Sequence, residues 1–243
     1  MSETIVLGDV ELTLVRKPVK HVHLTVHPPA GAVTLVAPKG TRTEVARAYA
    51  ISRLGWIRRR QQQLAAQARE TPRQFIERET HQLWGRRYLL SVREAEERPK
   101  VEISHRRLRL TVRPGSSLTK RAAVMYEWQR AQLHAVLPAL IAKWETRLGV
   151  RVTGYYLQRM KTRWGSCNPI KGNIRLNTEL VKKPRDLLEY VVVHEMAHLL
   201  APSHKDEFIA LLERHWPQWR ESRVELNALP LGDEDWSSKY NRG

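Results

Sequence analysis

The amino-acid sequence predicts an α+β fold, with a strand-rich first region over residues 1–115 and a second region over 116–243 organised on helices. Three observations predict it. In the first region apolar residues recur at every second position in short runs bounded by Gly and Pro. In the second they recur at spacings of three and four, as in Leu187, Leu188, Val191 and Val192. That last stretch also carries His194 and His198 one helical turn apart.

The elements follow in order. Val10, Leu12 and Leu14 alternate with polar residues, as do Val22, Leu24 and Val26, then Val33 and Leu35, so residues 4–37 read as short strands. His21, His23 and His27 fall on the opposite face of the second run. His21 and His23, at i and i+2, could pair on a metal, but without a third ligand type nearby they read as a solvated strand face. Thr41 and Glu44 stand at capping-box spacing. They predict a helix over Val45, Tyr49, Ile51, Leu54 and Ile57, running to about Arg69. Arg58, Arg59 and Arg60 beside Trp56 could hold phosphates and stack a base. A solvated helix face with one buried Trp is the plainer reading.

Residues 82–113 return to strands, at Tyr88–Val92, Val101–Ile103 and Leu108–Val112. Pro114–Ser117 leads into a long helix carrying Ala123, Met125, Tyr126, Leu133, Val136, Leu140 and Trp144, with Pro138 as a candidate kink. Val33–Pro38, then a turn and a helix, is echoed by Arg109–Pro114, then a turn and a helix. Both a duplicated unit and ordinary turn chemistry give that pattern. After Gly149 the segments Val152–Met160, Arg163–Cys167 and Asn173–Leu180 read as strands, with Pro169–Gly172 as a hairpin turn. The last of these is expected to edge a cleft and to hold an extended substrate by main-chain pairing at Ile174–Thr178. From Asn227 the chain is a polar tail.

Composition narrows the class. The chain has 243 residues, 42% hydrophobic and 28% charged, which is ordinary for a globular protein. No apolar run is long enough to cross a bilayer, the N-terminus lacks the regions of a signal peptide, and a single Cys excludes an internal disulfide framework. The expected compartment is therefore the cytoplasm, with no membrane partner. The net charge of +17 suits polyanions, so nucleotide or nucleic-acid contact stays open, although scattered Arg on a plain basic protein gives the same number.

The chemistry is concentrated between Asp186 and His204. Pro184 sits where a first helical turn tolerates proline. Four residues rotate about 400° around a helix, so His194 and His198 share a face and can share one Zn²⁺. Glu195 lies beside them, where a carboxylate can take a proton from a metal-activated water. Pro202 is expected to stop this helix. Ser203 then reads as the N-cap of a second helix, with Asp206 in the capping-box position and His204 in its first turn as the third ligand. Three neutral His ligands leave an open fourth position, the pattern of a catalytic rather than a structural zinc.

The segments Arg163-Trp-Gly-Ser-Cys167, Ile174-Arg-Leu-Asn177, Tyr190-Val-Val-Val-His-Glu-Met-Ala-His-Leu199 and Ser203-His204 with Phe208 resemble the YgjP-like metallopeptidase family, predicted metal-dependent hydrolases related to SprT-like zinc proteases. The resemblance is strong over Met160–Pro217 and weaker through the strand-rich region, where Ala37-Pro38 and Trp56-Ile57 stand at familiar places. It implies a zincin-like catalytic minidomain with His194, His198 and His204 as zinc ligands and Glu195 as base. Metzincins share the ligand spacing but have Gly where this chain has Ala201.

The expected activity is zinc-dependent hydrolysis of peptide bonds, with a peptide or protein as substrate. Arg163, Trp164, Arg175 and Asn177 are the candidate substrate contacts; Arg163 and Trp164 could equally pack the hairpin onto the zinc helix. Two other readings compete. One is metal-dependent hydrolysis of a nucleoside triphosphate, which the basic charge suits but for which no Walker-type loop or Mg²⁺-binding acidic cluster is present. The other is a DNA-associated protease of SprT type.

Overall fold

The computed structural model describes residues 2–27, 31–66, 72–160 and 163–229. They fall into two compact units, one within Met1–Arg69 and one within Glu70–Asp235. The boundary expected near residue 115 lies inside the second unit. The architecture is mixed α+β, with strands dominating the first half and six α-helices among the described residues.

The first unit contains β1 (Ser2–Leu7), β2 (Val10–Lys17), β3 (His23–His27) and β4 (Ala32–Pro38), then α1 (Thr43–Ser52) and α2 (Leu54–Ala66). Its sheet has the order β1-β2-β4-β3, with β2 and β4 parallel and the outer pairs antiparallel. Alternation puts Ile5, Leu7, Val10, Leu12, Leu14, Val33 and Leu35 into one core with Ala46, Ala50 and Ile57. The helical region departs from expectation in three ways. It breaks at Arg53 into two helices. The Thr41–Glu44 capping box does not form: α1 starts at Thr43, whose hydroxyl donates instead to the Glu3 carboxylate (3.0 Å) while accepting from Arg16 (2.8 Å). Finally, the sheet-facing stripe is made of small alanines, which let the helix approach closely, so Val45 and Ile51 face solvent. Trp56 is also exposed, at 42%, and not the buried Trp expected. His21, His23 and His27 are exposed, as a solvated strand face requires.

The second unit opens with β5 (Thr80–Leu83), β6 (Arg86–Glu94), β7 (Lys100–Ser104) and β8 (Arg107–Val112). Their order is β5-β6-β8-β7, again with a central parallel pair and antiparallel flanks. The four-strand topology of the first unit therefore occurs twice, each time followed by helix, and the echo in the sequence marks corresponding strands.

α3 (Leu118–Leu148) follows, N-capped by Ser117 and closed by Gly149 in the left-handed conformation. Its buried stripe includes Met125, Leu133, Leu137, Ile141, Trp144 and Leu148. Pro138 lies on the exposed side, where water can satisfy the carbonyl that loses its donor, and the helix runs through it. A second, three-stranded sheet contains β9 (Gly154–Gln158), β10 (Gly165–Asn168) and β11 (Asn173–Asn177) in the order β10-β11-β9. β11 is central, hydrogen-bonded on both sides, and Thr178 already belongs to the following turn, so the main-chain pairing with a substrate expected at Ile174–Thr178 cannot form. The edge strands are β10 and β9, and of the two only β10 contributes residues to the cleft lining.

β11 ends at Asn177 because that side chain accepts from the Glu179 N–H (3.1 Å) and starts a 3-10 turn, Thr178–Lys182. The β5–β6 turn docks on this segment, with Trp84 N–H donating to the Val181 carbonyl (2.8 Å) and Gly85 N–H to that of Lys182 (3.1 Å). Gly85 has φ +75°, and a Cβ there would come within 2.9 Å of Pro184. α4 (Arg185–Ala197), α5 (Asp206–His215) and α6 (Trp219–Ala228) complete the unit. No described helix is long and apolar enough to cross a membrane.

Candidate active site

α4 is buried on nearly every side, by Leu187, Leu188, Tyr190, Val191, Val192, Val193 and Met196, which fixes its rotation about its axis. The helix ends at Ala197, four residues earlier than Pro202 predicts. The chain then tightens, with the N–H groups of Leu200 and Ala201 bonded to the Ala197 carbonyl (3.1 and 3.0 Å). Ala201, preceding a proline, is disfavoured in helical conformation. α5 begins at Asp206, and its N-cap position is Lys205, without a side-chain cap. His204 thus sits in the loop before α5, and Ser203 is not the cap.

That loop nevertheless carries His204 back to α4. One ligand-type atom from each of His194, His198 and His204 lies within 4.8 Å of the others. The Nε2 atoms of His194 and His204 are 3.2 Å apart. Nitrogens bound to one tetrahedral zinc at 2.0–2.1 Å stand about 3.3 Å apart, so this spacing fits a shared cation. The donor set fits as well. His198 Nδ1 lies 3.1 Å from the Ala201 carbonyl, which places the ring proton there and leaves Nε2 for a metal. Burial pushes His194 down to about 3, with the neighbouring His198 and His204 adding to the shift, and burial also lowers His198. Both rings are therefore neutral, the form that binds metal. His194 Nδ1 is buried without a hydrogen-bond partner among the described residues.

Phe208, buried on α5, supports all three rings. Its centroid is 4.4 Å from that of His198 in a stacked arrangement, 4.8 Å from His204 and 5.0 Å from His194.

Glu195 is 6% exposed. Burial pushes its carboxyl up to about 8, against the opposing positive charge of Arg163. The side chain lies against Gly165 of β10, where an added Cβ would meet Oε1 at 2.5 Å. Cys167, two residues on, is raised to about 11, by burial first and by the charge of Glu195 second.

These groups line a cleft of about 720 Å³. The lining includes Arg163, Trp164 and the strand Gly165–Cys167, the imidazoles and Glu195, and Phe208, Trp219 and Leu226. Of the sequence candidates, Arg163 and Trp164 line the cleft. Arg175 and Asn177 do not: Arg175 is exposed on β11. Asn177 is fully buried, its amide donating to the carbonyls of Met160 and Arg163 (both 2.8 Å). Phe208, Gly165 and Arg223 were not singled out as site residues by sequence. A glycine inside a strand signals close backbone approach and could have pointed to Gly165. The position of Phe208 four residues after His204 is a weaker cue, and for Arg223, on α6, there is none.

A family model described as YgjP-like, metallopeptidase domain, matches residues 20–229. Among solved structures, the chain is similar to the metallopeptidase zymogen of Pyrococcus abyssi abylysin, at 20% identity and a TM-score of 0.35, over 37% of this chain and 90% of that one. It is also similar to the metallopeptidase zymogen of Methanocaldococcus jannaschii jannalysin, at 19% identity and a TM-score of 0.33, over 37% and 91%. No curated protein matches.

Proposed function

The chain belongs to the YgjP-like metallopeptidase family, and we propose that it hydrolyses peptide bonds with zinc held by His194, His198 and His204 and with Glu195 as the proton-transferring group. The observation that carries this reading is the convergence of three imidazoles beside a buried carboxyl at the base of an open cleft. Zinc at such a site supplies a Lewis acid that polarises a carbonyl and acidifies water.

The protein's own groups do the rest. The Ala201 carbonyl and the Phe208 ring orient the imidazoles. Glu195 takes a proton from the attacking water and returns it to the leaving amine nitrogen. A carboxyl whose burial raises it toward neutrality suits both directions of that transfer. Arg163 lines the same cleft as Glu195, and its guanidinium would counter the negative charge that develops on the attacked carbonyl oxygen. β10 is the strand beside the cleft, so an extended peptide would pair with Gly165–Cys167 rather than with β11.

The test pairs zinc-loaded wild type with Glu195→Gln on an unstructured protein and on nucleoside triphosphates. The variant should keep its zinc and lose roughly 10²-fold or more in peptide turnover. Cleavage of the triphosphate alone, abolished in Glu195→Gln, would replace the peptidase reading with a phosphohydrolase.

A further inference from the structure

Arg223, exposed on α6, lines the same cleft as Arg163, which leads into β10. The two guanidiniums thus belong to different elements of the cleft that holds the imidazole cluster. Some arginines pair with carboxylates, as Arg16 does with Glu3, Arg121 with Glu94 and Arg220 with Glu213, but cations outnumber acids 42 to 25, so position in the cleft matters more than lack of a partner. Among the described residues neither Arg163 nor Arg223 forms an ion pair, and the only carboxylate lining the cleft is Glu195. Close to Arg223 the lining is apolar, from Trp219 and Leu226.

A guanidinium that pairs with no carboxylate among the described residues, lining a partly apolar cleft, presents a planar fork of donors that matches a carboxylate. A net charge of +17 draws anions to the whole surface, whereas this placement selects where a carboxylate would rest. Resting on the peptidase reading above, we propose that the cleft selects peptides carrying a carboxylate next to an apolar residue, with Arg223 holding the carboxylate and Trp219 receiving the apolar side chain. The carboxylate can come from an Asp or Glu side chain or from the end of the peptide.

The experiment measures binding, so it does not depend on turnover. Zinc-loaded Glu195→Gln is titrated with three fluorescent peptides of one length: Leu-Glu with an amidated end, Leu-Gln with an amidated end, and Leu-Gln with a free terminal carboxylate. At least one carboxylate peptide should bind about tenfold more tightly than the neutral one, and comparing the two separates a side-chain from a terminal source. Adding Arg223→Gln should abolish the difference, and Arg223→Lys should restore part of it. Equal affinity for all three peptides, or an undiminished preference in the Arg223→Gln protein, overturns the proposal. If the chain with Glu195 intact binds these peptides and cleaves none of them, the peptidase reading fails while the carboxylate preference stands.

Discussion

Gly165→Ala tests the contact between β10 and Glu195. A Cβ at residue 165 would lie 2.5 Å from Glu195 Oε1, 2.7 Å from Cγ and 2.8 Å from Cδ. Gly165 is not among the glycines with positive φ, so alanine meets no backbone strain there and the cost is steric. Relief requires a movement of roughly 1 Å, given ordinary carbon contacts of about 3.5 Å. Glu195 is 6% exposed and its helix is packed on nearly every side, so it has little room to yield. Overpacking of this kind costs about 1–3 kcal/mol in stability. A catalytic group displaced by about 1 Å loses on the order of 10²-fold in rate. The three atoms nearest that Cβ all belong to Glu195, so metal content is expected to stay unchanged.

The assay combines urea unfolding, metal analysis and peptide turnover on the single variants and the double variant. Glu195→Ala removes the atoms that clash, so Gly165→Ala should be nearly neutral in that background, giving a coupling of about 1–3 kcal/mol. Two results refute the reasoning: wild-type turnover in Gly165→Ala, or the same stability loss with and without the Glu195 side chain.

Two further outcomes follow. His204→Ala should lower zinc stoichiometry while leaving the unfolding free energy of the chelated protein within about 0.5 kcal/mol of wild type, since His204 is exposed and lies in a loop; unchanged zinc content would remove it from the ligand set. Cys167, at about 11 against an ordinary 9.0, should stay neutral where an exposed thiol ionises. A raised acid is stabilised in its neutral form, so this contribution to folding is present below pH 9 and is lost as pH rises through 11. Alkylation by iodoacetamide at pH 8–9 should accordingly be much slower in the folded protein than in urea, and equal rates would contradict the burial.

The legible parts of the site were the ones set by local geometry. Two histidines four residues apart on a helix must share a face, and the apolar run around them required a buried helix. His204 was located by its spacing from those two, even though the helix it was assigned to begins two residues later. The apparent cap at Ser203 misled because Lys205 N–H turns back to the Ser203 carbonyl (2.8 Å), an arrangement unrelated to side-chain capping. Strand existence was legible from alternation, but strand neighbours were not. Ile174 and Leu176 alternate in the same way whether β11 is an edge or a centre. What makes β11 central is a parallel pairing with β9, Gly154–Gln158, which is a long-range contact that no local pattern encodes. Asn177 shows the same limit: a polar residue in a strand next to the motif suggested substrate contact, whereas its amide bridges Met160 and Arg163 inside the protein.

Having β10 rather than β11 as the edge strand along the cleft changes what the cleft can do. β10 is antiparallel to β11, and its residues Gly165, Ser166 and Cys167 line the cleft beside Glu195. A side chain at residue 165 would occupy the space where the Glu195 carboxyl lies. Glycine there lets the strand serve two purposes: its backbone can face a substrate while its α-carbon closes over the carboxyl and keeps it dry. That burial is what raises the carboxyl to about 8, and Arg163, immediately upstream in the chain, limits the rise with its charge. The strand that would bind the peptide backbone therefore also tunes the group that would transfer the proton. Substitutions in Arg163–Gly165 should consequently alter turnover and its pH dependence together, whereas substitutions confined to the binding edge at Ser166 should act mainly on substrate affinity.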